Sequence, residues 1–174
     1  VCVDGRPGVA PVAPFIAIRT VGDPAALAAG HLGEGLEKAL PPAATRPRSL
    51  SAWVWSFAAR AEGPLARDLL HHNVVFPTDT AQEFGPLGRG RMPETPTLYI
   101  CAEDRAGGTA PDGLERFEII VNAPAGHPDQ PEDPARCRDR TFLTLRKRGL
   151  WFSPEPGPAA LTTPAMLDPL SPGS

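Results

Sequence analysis

The sequence predicts an α+β domain, in which a β-sheet is flanked by helices. Three observations lead to this fold class. The stretch from Ser49 to Arg60 is apolar on both of its alternating faces, which is typical of a central strand. Two further strand patterns, Thr97–Ala102 and Phe117–Val121, are joined by a glycine-rich loop, as in a long hairpin. Late in the chain, 133–149 carries the start and stop signals of a helix.

The first 47 residues predict one strand and one helix. Phe15–Ile18 forms a short apolar run after a hairpin-like arm, and we expect it to be a buried strand. Asp23 followed by Pro24 is typical of an N-cap and the first helical position. Leucines then recur at helical spacing at positions 32, 36 and 40, and the helix should end at the Pro41-Pro42 pair.

The strand over Ser49–Arg60 has an aromatic face and an aliphatic face. The aromatic face carries Trp53, Trp55 and Phe57, whereas the other face carries Ala52, Val54 and Ala58. After it, the run 71–76 predicts a short strand. The Gly- and Pro-rich stretch 78–96 predicts an excursion with at most one helical turn.

The helix late in the chain has a complete set of end signals. Asp133 is expected as the N-cap with Pro134 at the first position, and Gly149 follows a basic last turn as the terminating residue. Phe142 and Leu145 should lie on its buried stripe. Beyond Phe152 the chain becomes rich in proline.

Composition limits the function classes. The net charge of -3 and the pI near 5.8 provide no basic field, so nucleic acid is not expected as a partner. Three widely separated cysteines without a C-x-x-C pair favour a reducing, cytosolic compartment. The first residues have neither a start methionine nor the pattern of a signal peptide, and we interpret the chain as part of a longer protein.

Motifs that carry chemistry are mostly absent from the sequence. It contains no G-x-G-x-x-G, no P-loop, no G-x-S-x-G and no H-E-x-x-H. His71 and His72 are the obvious acid/base candidates, but neighbouring residues on a strand point to opposite faces, so we expect no shared metal. A surface or structural role is favoured, with one histidine a candidate to line a ligand cavity. The charged run Glu103–Arg105 follows a strand. We interpret it as a charged turn rather than as polar groups at the mouth of a cavity.

The aromatic face is the main candidate for ligand binding. Flat apolar side chains on a sheet can cover a long hydrophobic ligand, although packing in a protein core explains the same pattern and is favoured. The candidate substrate-channel residues are Trp53, Trp55, Phe57, His71 and His72. No residue is assigned a catalytic, cofactor-binding or metal-binding role.

Four blocks of sequence together resemble a known family. They occur in order at 48–57, 71–76, 96–105 and 121–125, and begin Arg-Ser-Leu-Ser-Ala-Trp-Val-Trp, His-His-Asn-Val-Val-Phe, Pro-Thr-Leu-Tyr-Ile-Cys and Val-Asn-Ala-Pro-Ala. In this they are similar to the substrate-domain half of bacterial phytoene desaturase-type enzymes. Gly22-Asp23-Pro24 and Thr162-Thr163-Pro164 resemble further motifs of that family. Residues 7–20 do not fit its pattern, which we interpret as an error in the sequence there.

The resemblance implies an FAD-dependent enzyme that introduces a double bond into an acyclic hydroxy- or methoxy-carotenoid. It implies an internal piece of a two-domain, amine oxidase-like flavoprotein with an α/β parent fold. Residues 1–47 would be a return segment of the flavin domain, 48–152 a substrate domain with a mixed β-sheet, and 153–174 a proline-rich C-terminal segment. The main FAD motifs are absent from this chain, so the isolated chain should bind no flavin.

The resemblance also implies a cytoplasmic protein at a membrane surface, because its substrate dissolves only in lipid; the oligomeric state stays open. Two alternatives remain. One is a related carotenoid isomerase or ketolase, and the other is a non-catalytic fragment or a module that binds apolar ligands.

Overall fold

The fold is that of a computed structural model, which describes residues 50–124 and 133–167 together with three isolated glycines, Gly30, Gly33 and Gly35. The chain divides after Pro47, and the elements below belong to the unit Arg48–Ser174. The predicted strand Phe15–Ile18 and the doubtful residues 7–20 lie outside the described residues. Of the helix expected after Asp23, only the three glycines are described, and their positive φ values of 78°, 117° and 82° are not helical, so the helix is not continuous through them.

Six strands form one sheet in the order β2-β3-β4-β1-β5, with β6 also paired to β1. Their bounds are β1 Ser51–Glu62, β2 His72–Val75, β3 Leu98–Ala102, β4 Glu115–Ala123, β5 Trp151–Ser153 and β6 Leu161–Thr162. Helices α1 Ala81–Leu87, α2 Asp133–Lys147 and α3 Pro164–Leu167 complete the α+β arrangement that the sequence predicts. Each of the strand pairings is antiparallel, so the mixed character expected from the resemblance is not seen in the described residues.

The central position predicted for the first strand is confirmed. β1 pairs with β4 in continuous register from Ser51↔Ala123 to Ala59↔Glu115, and its far end pairs with β5. β4 extends two residues beyond its predicted bounds at each end, because Glu115 and Ala123 still find partners on β1. β1 begins two residues later than predicted, and its last residues, through Glu62, continue as a strand because they pair with β5.

The core lies between the sheet and helix α2. Trp53 and Trp55 on β1 are fully buried, as are Ile119 on β4 and Leu145 on α2. The Trp55 and Phe142 rings meet edge to face with their centroids 5.3 Å apart. The helix predicted over 133–149 therefore covers the aromatic face of β1, and its predicted buried stripe, Phe142 and Leu145, faces the core. It begins at Asp133 itself, one residue earlier than predicted.

Helix α1 corrects the prediction of at most one helical turn within 78–96. It spans seven residues, nearly two turns. The Asp79 carboxylate accepts the Ala81 N–H at 2.9 Å and supports the first turn. Gly85 and Pro86 lower helix propensity, so the sequence pattern alone favours a loop. A tertiary contact overrides it, because Glu83 on this helix is completely buried and bonded to the sheet.

The proline-rich segment returns to the sheet. Its residues 161–162 pair with Val54 and Trp55 as β6, and Leu161 belongs to the core. The turn after β1 is tight: Gly63 has φ 98° and ψ 175°, and a Cβ there would lie 2.4 Å from the Gly149 carbonyl oxygen. Only glycine adopts that backbone conformation readily.

Candidate functional site

The two faces of the sheet differ in what covers them. On the aromatic face, Trp53 and Trp55 are 0% and 1% exposed. Phe57 is half-buried and packs against Phe117 and Phe152, with ring centroids 5.7 and 5.0 Å away. All three predicted channel residues on β1 thus lie in or against the core. Their role toward a substrate stays a prediction.

The opposite face is only partly covered, and an apolar row crosses it. The row consists of Val54, Ile120, Tyr99 and Val74, which are paired in register across β1, β4, β3 and β2. The first three side chains are half-buried and Val74 is 47% exposed. Four neighbouring strands are separated by three gaps of about 4.8 Å, so the row is roughly 14 Å long. The sequence pattern predicted the aliphatic second face of β1, but no binding role was expected for it.

A polar row lies two residues along the same face. It consists of Ser56, Glu118, Cys101 and His72, again paired in register. Along the strands, this face therefore changes from apolar to polar over two residues, a distance of about 7 Å.

The histidine pair corrects a geometric expectation. His71 and His72 were expected to point to opposite faces, yet their ring centroids are 4.0 Å apart. The reason is that β2 begins at His72, so His71 precedes the strand and escapes its alternation. Burial, together with the nearby Glu103 and Glu118 carboxylates, raises the pKa of the neighbouring Cys101 thiol.

A buried ion pair anchors the turn after β3. Arg105 donates to both carboxylate oxygens of Glu115, at 2.7 and 2.6 Å, and to the carbonyl oxygens of Ala66 and Leu69. The Arg105 and Glu115 side chains are 6% and 5% exposed. The charged turn predicted over Glu103–Arg105 exists, but the sequence could not distinguish a buried arginine from a solvated one.

Glu83 is a second buried acidic residue, and it was not among the predicted site residues. Its carboxylate accepts hydrogen bonds from the Thr97 N–H at 3.0 Å, from the Thr97 hydroxyl and from the Asn122 amide at 3.0 Å. These bonds tie α1 to the ends of β3 and β4. A lone glutamate beside glutamine and phenylalanine gives no sequence signal of burial.

The described residues do not fit a dinucleotide cradle. Such a site needs a glycine-rich loop that leads into a helix N-terminus with free backbone N–H groups. Helix α2 instead begins with the Asp133 carboxylate and with Pro134, which has no N–H. Over residues 50–124 and 133–167, no helix is long and apolar enough to cross a membrane.

Comparison with known proteins gives close relatives. The chain is 60% identical to a hydroxyneurosporene desaturase of Cereibacter sphaeroides over 156 residues, which cover 88% of this chain and 31% of the relative. It is 52% identical to a hydroxyneurosporene desaturase of Rhodobacter capsulatus, over 88% of this chain and 30% of the relative. A zeta-carotene-forming phytoene desaturase of Myxococcus xanthus is 35% identical over 47% of this chain and 16% of the relative. No family model matches the chain.

By their names, these relatives belong to one class of protein, the carotenoid desaturases. Within that class, the chain is similar over most of its length to a segment of the hydroxyneurosporene desaturases. The resemblance predicted from the sequence is thereby confirmed. The chain spans about 30% of the length of these relatives.

Proposed function

We propose that the protein is an oxidoreductase acting on CH–CH bonds, which introduces a double bond into an acyclic carotenoid such as hydroxyneurosporene. The observation that carries this proposal is 60% identity over 88% of the chain to a protein with that activity in its name. The related isomerase and ketolase activities have no comparable support, because these relatives are desaturases.

We further propose that FAD is the hydrogen acceptor within a two-domain, amine oxidase-like protein. Forming a double bond from a CH–CH bond removes a hydride and a proton, and a flavin would accept the hydride. The described residues provide no cradle for its pyrophosphate, so the role of this chain would be to cover the substrate. A carotenoid dissolves in lipid, which supports a peripheral position on the cytoplasmic side of a membrane.

The apolar row is the surface that we propose to meet the carotenoid. Val54 and Ile120 are aliphatic and Tyr99 presents an aromatic ring; all three are aligned and incompletely buried, as a contact surface for a polyene requires. The tryptophan face has the same chemistry but already contacts helix α2. A row of roughly 14 Å covers only part of an elongated carotenoid.

The function is tested with the full-length protein, supplied with individual acyclic carotenoids and assayed by chromatography of the pigments. We expect conversion of hydroxyneurosporene to a product with one more double bond. An isomer of unchanged mass, or no conversion by folded and flavin-loaded protein, would refute the desaturase assignment.

The substrate surface is tested with two variants of β4 on the same face. Ile120→Thr lies in the apolar row and should raise KM several-fold, because it places a hydroxyl against the polyene. Glu118→Gln lies in the polar row two residues away and serves as the matched control. Equal effects of the two changes on KM would argue against the row as a contact surface.

A further inference from the structure

Three metal-ligating side chains meet at the edge of the sheet. One ring nitrogen of His71, one ring nitrogen of His72 and the Cys101 Sγ all lie within 4.8 Å of one another. His72 and Cys101 are directly paired across β2 and β3, so their side chains share one face. His71 joins them because it lies just before the strand.

Both imidazole rings are oriented by hydrogen bonds. His71 Nδ1 is 2.9 Å from the carbonyl oxygen of Ala102, which can only accept, so this nitrogen carries the proton and Nε2 presents its lone pair. His72 Nδ1 is 2.6 Å from the Tyr99 hydroxyl, which can accept in the same way. A carbonyl or hydroxyl on the second ring nitrogen is the arrangement typical of metal-binding histidines.

We propose that His71, His72 and Cys101 form a binding site for a zinc-like divalent metal ion. Two imidazoles and a thiolate are the ligands preferred by borderline-soft ions, whereas magnesium and calcium require oxygen ligands. Tetrahedral bonds of about 2.0–2.3 Å place ligand atoms roughly 3.3–3.8 Å apart, so the cluster closes by about 1 Å on binding. A water molecule completes the coordination.

The bound ion would fasten the edge strand to the sheet. β2 is four residues long and lies at the end of the strand order. A bond from His72 through the metal to Cys101 crosses from β2 to β3, and His71 extends the link to the turn before β2. The Cys101 thiol releases its proton to solvent when the ion binds, because the thiolate is the ligand. This proposal does not depend on the desaturase activity.

The experiment is a cobalt(II) titration of the full chain, freed of metal with a chelator and followed by absorption. Cobalt(II) substitutes for zinc and gives a thiolate charge-transfer band. We expect one ion per chain, with the band retained in Cys137→Ser and lost in Cys101→Ser. Cys137 is the matched control, because it is a buried free cysteine on helix α2. Tyr99→Phe should weaken binding about tenfold by removing a bond to a ligand ring.

A second measurement needs no substitution and covers the case in which Cys101→Ser fails to fold. Zinc should slow alkylation of Cys101 in the unaltered chain, read by peptide mass spectrometry with Cys137 as the internal reference, and magnesium should not. An absent band, a band retained without Cys101, or unprotected Cys101 in the presence of zinc would each overturn the proposal.

Discussion

Replacing Trp55 by alanine tests whether this side chain belongs to the protein core or lines a substrate channel. The side chain is 1% exposed, and its ring meets Phe142 edge to face. Truncating a buried tryptophan costs about 3–5 kcal/mol through lost burial and the cavity left behind. The melting temperature should therefore fall measurably.

Val54→Ala provides the matched control for stability alone, because Val54 belongs to the proposed substrate surface. Val54 is adjacent on β1, points to the opposite face and is half-buried, so removing its methyl groups should cost only about 1 kcal/mol. The assay combines thermal unfolding by circular dichroism with bound flavin and turnover in the full-length protein. Lost stability of Trp55→Ala with unchanged turnover per folded molecule would refute the predicted channel role of Trp55. Unchanged stability with a raised KM would refute the assignment of Trp55 to the core.

Three other sites give further predictions. Arg105→Met should cost on the order of 3 kcal/mol in denaturant unfolding, because it leaves the Glu115 carboxylate buried without a partner. A double change of Arg105→Met with Glu115→Leu should recover part of that loss, and no recovery would contradict the reasoning. Gly63→Ala should cost about 1–3 kcal/mol from its φ of 98° alone, so an unchanged unfolding midpoint would contradict the turn geometry. Hydrogen bonds from Arg116 lower the pKa of Asp104, so their stabilisation is present above the unfolded carboxyl pKa of about 3.9 and lost as pH falls through the folded value. Asp104→Asn should remove that part of the acid dependence, and identical pH profiles for the two proteins would contradict it.

Local sequence patterns identified the elements that form without help from distant residues. The period-two pattern of β1 and the end signals of α2 depend on neighbours in the chain, and both elements are present where they were expected. Helix α1 was underestimated because Gly85 and Pro86 oppose it locally, whereas the bonds that hold Glu83 come from Thr97 and Asn122, which are distant in sequence.

For the candidate site, the sequence by itself determined which residues are available: an aromatic face on β1, an aliphatic face behind it, two adjacent histidines and an isolated cysteine. Only the tertiary structure decided how they are used, because a β-strand shows its two faces without showing which of them a helix will cover. Helix α2 covers Trp55, which leaves the face of Val54 available. The start of β2 at His72 likewise brings His71 beside its neighbour and both toward Cys101, because register across strands is fixed by pairing and not by distance along the chain.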